Sequence, residues 1–206
     1  VVDNTPLENY WERDKPIYPV GQLELQAHGN PLWFRNTYIR EIPRDTAPPS
    51  LTEAESAEGF VALFNGRDLG GWTGDTKGYQ AENGRIVVHP EFGAGNLYTE
   101  KEYADFVFRF EFKLPPGGNN GVGVRAPLQG DVAYTSMEIQ VLDDTAPQYK
   151  DLKPYQFHGS IYGVVPAQRD CLKPVGEWNS EEVTAKGRQV TVKVNGKTIV
   201  DADIDK

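Results

Sequence analysis

The stretch Phe106-Val107-Phe108-Arg109-Phe110-Glu111-Phe112 sets a phenylalanine at every even position and puts Arg109 and Glu111 on the other parity. Successive side chains of a strand point to opposite faces, so this is a strand with one apolar and one polar face. Gln189-Val190-Thr191-Val192-Lys193-Val194 repeats the pattern, and Asn195-Gly196 supplies a two-residue hairpin turn of type I′ before Thr198-Ile199-Val200. Met137, Ile139 and Val141 alternate with Glu138, Gln140 and Leu142, and Leu23, Leu25 and Ala27 alternate with Gln22, Glu24, Gln26 and His28. Phe60 to Phe64, Arg85 to Val88, Gly121 to Arg125, Ser160 to Val164 and Trp33 to Ile39 also read as strands. Helical periodicity is weak everywhere; only Thr52 to Glu58 and a turn near Glu100 to Ala104 suit short helices. The pattern predicts an all-β fold, an antiparallel β-sandwich of the jelly-roll kind with few short helices.

The bulk numbers agree. The chain has 206 residues, enough for one sizeable β domain, with 38% hydrophobic and 25% charged residues, as in a globular protein. Its 21 glycines and 15 prolines suit frequent tight turns. A net charge of −9 argues against nucleic acid or an anionic membrane surface as partner, whereas neutral sugars are indifferent to it. Cys171 is the sole cysteine, so no intrachain disulfide forms and the redox compartment stays open. No apolar run reaches the length of a membrane span. Val1 opens the chain without a signal peptide, as expected of a processed or excised product.

Pro43 to Gly59 (PRDTAPPSLTEAESAEG) is polar and Pro-rich and lacks β pattern. It divides the chain into a short block of strands, residues 1–43, a linker, 44–59, and a main block, 60–206. The first block is too short to bury a core alone and is expected to dock on something.

Alternation also assigns faces. With Met137, Ile139 and Val141 inward, Glu138 and Gln140 point outward together. Gln26 and His28 lie opposite Leu25 and Ala27, and Ser160 and Tyr162 lie opposite Ile161. In Gly121-Val122-Gly123-Val124-Arg125 the valines take the core side, leaving Arg125 beside two glycines that open room for a ligand. If these strands are neighbours, Arg125, Glu138, Gln140, Tyr162 and His28 converge on one concave surface, with Gln26 beside them. A solvated polar face is the plainer alternative for Glu138. His28 suits a structural role as well as a ligand role, and His158, just before a strand, suits either; His89 reads as incidental. Trp72, Trp178 and Trp33 offer aromatic planes for sugar rings, or core and rim packing. Asp143-Asp144 offers calcium ligands or an acidic turn, Asn119-Asn120 reads as a turn, and Cys171 as inert. No phosphate-cradling loop, zinc-type spacing or Gly-x-Ser-x-Gly turn is present.

Ala62-Leu63-Phe64-Asn65-Gly66-Arg67-Asp68-Leu69-Gly70-Gly71-Trp72 resembles the opening motif of the 3-keto-disaccharide hydrolase family. Further matches follow in family order: Gly117-Gly118-Asn119-Asn120-Gly121-Val122 with Arg125, Met137 to Asp143, Gly159-Ser160-Ile161-Tyr162-Gly163, Lys173 to Asn179, and Val194-Asn195-Gly196. The resemblance runs almost continuously from Phe60 to Lys206. It implies a concanavalin-like jelly roll and an enzyme that cleaves glycosides already oxidised at C3, located in the periplasm or outside the cell. In that reading Glu138 or His28 is the base or a metal ligand, Arg125 and Gln140 hold the keto oxygen or enolate, and Tyr162, Gln26, Trp72, Trp178 and His158 bind substrate. A divalent metal on Glu138 and His28 stays open. A two-carboxylate glycosidase would have only Glu24 and Glu138 to offer. A non-catalytic carbohydrate-binding module and an assembly scaffold are the alternatives from other classes. One departure stands out: strands that usually end such a domain, Gly21 to Asn30 and Trp33 to Glu41, come first here. Circular permutation explains it, as does one unit cut from a tandem, residues 1–43 then completing a neighbouring domain or a second copy.

Overall fold

The computed structural model describes residues 51–93, 95–128 and 135–204, with Arg35 and Tyr38. The chain divides into two units, Val1–Ile42 and Pro43–Lys206. The strands expected within 22–28 and 33–39 lie outside the described residues, Arg35 and Tyr38 apart, as do Gln26 and His28. Among the described residues the second unit begins with a helix, α1 (Glu53–Ala57), and continues with β1 (Trp72–Gly74), β2 (Tyr79–Glu82), β3 (Arg85–Val88), β4 (Leu97–Thr99) and β5 (Phe106–Phe112). Then come β6 (Asn119–Val124), β7 (Met137–Leu142), β8 (Asn179–Lys186), β9 (Gln189–Val194) and β10 (Lys197–Asp203). Short 3-10 turns at Pro147–Tyr149 and Pro154–Gln156 lie between β7 and β8.

One sheet runs β10-β9-β8-β5, entirely antiparallel. Its register sets Phe106, Phe108, Phe110 and Phe112 opposite Ala185, Val183, Glu181 and Asn179, so the even positions of β5 share the inner face with the odd positions of β8. β6 and β7 form an antiparallel pair, to which Ile161 adds a bridge at Ile139. Val124, Ile139 and Ile161 join Val183, Val190, Val192, Val194, Ile199 and Val200 in one buried cluster. The β6–β7 pair thus packs on the four-stranded sheet, and the fold is an all-β sandwich. Each fully buried valine contributes about 1.5–3 kcal/mol of hydrophobic free energy, so β9 anchors the core. Asn195 and Gly196 both have positive φ, 50° and 81°, as the tight β9–β10 turn requires. The register then slips between Thr198 and Val200, making Ile199 the extra residue of a bulge. The bulge turns Ile199 and Val200 inward together, although they are neighbours.

Four expectations change. Phe60 to Phe64 is not a strand. The Arg109 guanidinium lies 4.1 Å over the Phe60 ring and reaches Glu58 at 3.2 Å and Glu182 at 2.6 Å, so this segment covers the outer face of the four-stranded sheet. Just upstream, Thr52 and Glu55 close a capping box that starts α1 within the linker. Ser160 to Val164 contributes only single bridges, at Ile161 with Ile139 and Val165, because the chain turns again at Gly163, φ 76°. Glu100 to Ala104 forms no helix, and Asn119-Asn120 belongs to β6 instead of a turn. Among the described residues no helix is long and apolar enough to cross a membrane.

Candidate active site

The face of β6 and β7 that turns away from the core is where the polar residues gather. Antiparallel partners share a face, and the register pairs Gly123 with Glu138, Gly121 with Gln140 and Asn119 with Leu142. The bridge extends the row: Tyr162 N donates to Glu138 O at 2.9 Å, Gln140 N to Ser160 O at 3.1 Å, and Gly159 N to Gln140 O at 2.7 Å. Glu138, Gln140, Ser160 and Tyr162 therefore stand in two adjacent columns, flanked by a β6 column that is mostly glycine. Glu138 is half-buried, and its carboxylate lies across β6 at Gly121. Gln140 is only 5% exposed; its Nε2 reaches Asn119 Oδ1 at 3.4 Å, while its Oε1 has no partner. Gln156 Nε2 donates to the Tyr162 hydroxyl at 2.9 Å, which leaves the phenolic proton to be donated elsewhere. Ser160 is held in the fold, its hydroxyl donating to Pro154 O and accepting from Ala167 N.

One expected member of this row, Arg125, and one expected sugar-binding residue, His158, lie elsewhere. Arg125 lies one residue past the end of β6, where the backbone turns to a left-handed φ of 55°. Its guanidinium donates from Nε to Ala104 O at 2.8 Å, from Nη1 to Gly187 O at 2.7 Å and from Nη2 to Asp105 at 3.2 Å. It ties β6 to the start of β5 and to the β8–β9 turn, and does not stand beside Glu138. His158 is 2% exposed and packs tilted against Phe112 with ring centroids 5.1 Å apart, so it sits between the sheets and not on a surface open to sugar. Trp72 donates its indole N–H to Leu63 O at 2.8 Å, tying β1 to the preceding Asn-Gly segment. Trp178 is 38% exposed just ahead of β8, with Arg85 and Lys113 5.7 and 5.3 Å from its ring. Gln26 and His28 fall outside the described residues. Asp143 closes its own turn, accepting from Thr145 N and Oγ1 and from Gly117 N.

Residues 59–206 match the model of the 3-keto-alpha-glucoside-1,2-lyase-like domain. The chain belongs to that family. A 3-keto-disaccharide hydrolase of Bacteroides thetaiotaomicron is 27% identical over 159 residues, covering 65% of this chain and 55% of that protein. The chain thus spans about half the length of this curated relative. Two solved structures from Parabacteroides distasonis ATCC 8503, both with a provisional glycosyl hydrolase designation, share the fold. One is 31% identical with a TM-score of 0.64, covering 75% of this chain and 77% of its own. The other is 28% identical with a TM-score of 0.58, covering 66% and 68%.

This 3-keto-glucoside lyase-like domain also holds an acid that sequence alternation alone did not bring out. Glu181 shares the inner face of β8 with Val183 and Ala185 and is 2% exposed. Neither carboxyl oxygen has a hydrogen-bond partner, and His158 Nε2 lies 3.6 Å from Oε2. Burial without compensation pushes Glu181 up to about 8. Burial also pushes His158 down to about 4. Geometry agrees: His158 Nδ1 accepts the Leu142 N–H at 3.2 Å, so the neutral imidazole carries its proton on Nε2, facing Glu181. The usable signal was an acidic residue on the core parity of Glu181-Glu182-Val183-Thr184-Ala185. Among the described residues no three His, Cys, Asp or Glu side chains gather as a metal site would need, and His28 lies outside them.

Proposed function

We propose that this domain is a hydrolase-type enzyme acting on glycosides oxidised at C3, with Glu138 as the base. The observation carrying the reading is the register that sets Glu138 and Gln140 opposite Gly123 and Gly121 on one outward face, in a chain of this family. A C3 carbonyl acidifies the hydrogen on C2. A carboxylate at that carbon takes the proton, and the C–H electrons form an enolate on C2, C3 and the C3 oxygen. The enolate collapses to re-form the C3 carbonyl and a C1–C2 double bond, expelling the C1 leaving group. Water then adds at C1, and a proton returns to C2, for net hydrolysis. The developing oxyanion needs donors in place, and among the described residues the phenolic proton of Tyr162 and the Gln140 amide stand on this face. Arg125 instead hydrogen-bonds at the rim, to Ala104 O, Gly187 O and Asp105. Glu24, the partner that a two-carboxylate displacement would need, lies outside the described residues.

The test is release of a chromogenic leaving group from a 3-keto-glucoside by wild type and by Glu138→Gln. Release by the wild type and its loss in the variant is the expected result. Silence from both, with the sugar still retarding the protein, would leave binding without catalysis.

A further inference from the structure

Gly121 lies inside β6 and is not among the residues with positive φ, so its backbone conformation suits any residue. A glycine there weakens the strand, since it orders the most flexible residue and packs nothing in return. The reason for it lies in what a side chain would meet. A Cβ built at Gly121 falls 2.0 Å from Glu138 Oε1 and 2.7 Å from both its Cδ and Cγ. All three contacts belong to one side chain, and none to backbone. Its own N–H is taken by Asn120 Oδ1 at 2.8 Å, so what Gly121 offers Glu138 is an absence of atoms, not that hydrogen bond.

We propose that Gly121 is a positioning residue for Glu138: its missing side chain lets the carboxylate lie down across β6, which fixes where the acid meets the sugar. The proposal rests on the reading of Glu138 as the base. Any side chain at 121 forces the flexible end of Glu138 to rotate away, while the strand itself accepts the change. The same fact sets the direction of approach. The reacting C2–H has to be presented over the glycine column of β6, where the acid already lies.

Gly121→Ala, measured beside wild type, decides it by three readings. The expected melting temperature is equal to or above that of wild type; a loss of more than about 10 °C would make Gly121 a folding residue and overturn the proposal. A crystal structure of the variant is expected to show the Glu138 carboxylate displaced from β6; an unmoved carboxylate overturns it. On a 3-keto-glucoside, kcat is expected to fall at least tenfold with KM within about threefold, and Gly121→Ala/Glu138→Asp is expected to exceed the product of the two single-variant activities. Purely multiplicative losses overturn it. If wild type itself leaves the substrate intact, the enzyme reading fails, and the melting temperature and crystal structure still decide the positioning.

Discussion

Replacing Glu181 by glutamine keeps the shape of the side chain and removes its ionisation. Glu181 stands between Phe110 of β5 and Val194 of β9, with no hydrogen-bond partner for either oxygen. Its ordinary value of 4.5 rises to about 8, so between those pH values the folded chain holds a proton that the unfolded chain releases. Stability therefore falls as pH rises through that interval and levels off above it. At about 1.4 kcal/mol per pH unit, the interval corresponds to as much as about 5 kcal/mol. His158 acts the other way: moved from 6.5 to about 4, it withdraws stability as pH falls through that range. The two slopes oppose each other below 6.5, and from there to 8 the Glu181 slope acts alone, for about 2 kcal/mol. Urea unfolding at pH 5, 6, 7, 8 and 9 measures this, with Glu181→Gln beside wild type so that all other groups cancel. The variant is expected to match wild type near pH 5 and to gain on it steadily up to pH 8. A constant difference across the series would refute the reasoning, because it would mean that Glu181 is as ionised in the folded chain as in the unfolded one.

Other variants test separate parts of the structure. His158→Ala deprives the buried Leu142 N–H of its acceptor and opens a void beside Phe112; denaturant unfolding should show a loss of about 3 kcal/mol. Gly159→Ala forces a Cβ into a backbone with φ 74° and to 2.2 Å from Ile199 Cδ1, and should lower stability by about 2 kcal/mol or more in the same assay. Arg125→Ala, which unties the rim of β6 from Ala104, Asp105 and Gly187, should lower stability by about 1–2 kcal/mol and leave turnover of a 3-keto-glucoside within about threefold.

The sandwich was readable wherever a strand keeps a strict apolar parity. β5 and β9 do so, and so does the inner side of β7, which is why Glu138 and Gln140 could be put on one outward face in advance. β8 does not read as a strand in the sequence, because two of its four inward positions are Asn179 and Glu181 and the apolar alternation is lost. Parity puts Arg125 beside Glu138 only if the alternation runs one residue past the end of β6, and a left-handed backbone ends it there. His158 lies in a loop, where parity says nothing, and its place between the sheets depends on a hydrogen bond from Leu142, sixteen residues earlier. Phe60 to Phe64 has strand-like residues, yet the Phe60 ring lies under Arg109, a pairing that no local pattern contains.

Removal of the C2 proton by Glu138 is the step on which the functional account stands. Its most direct measurement compares 3-keto-glucosides carrying hydrogen or deuterium at C2, with wild type and with Glu138→Gln. Slower release from the deuterated sugar by wild type and a loss of about 10²-fold or more in the variant are expected. Equal rates for both sugars, with the variant as fast as wild type, would contradict it.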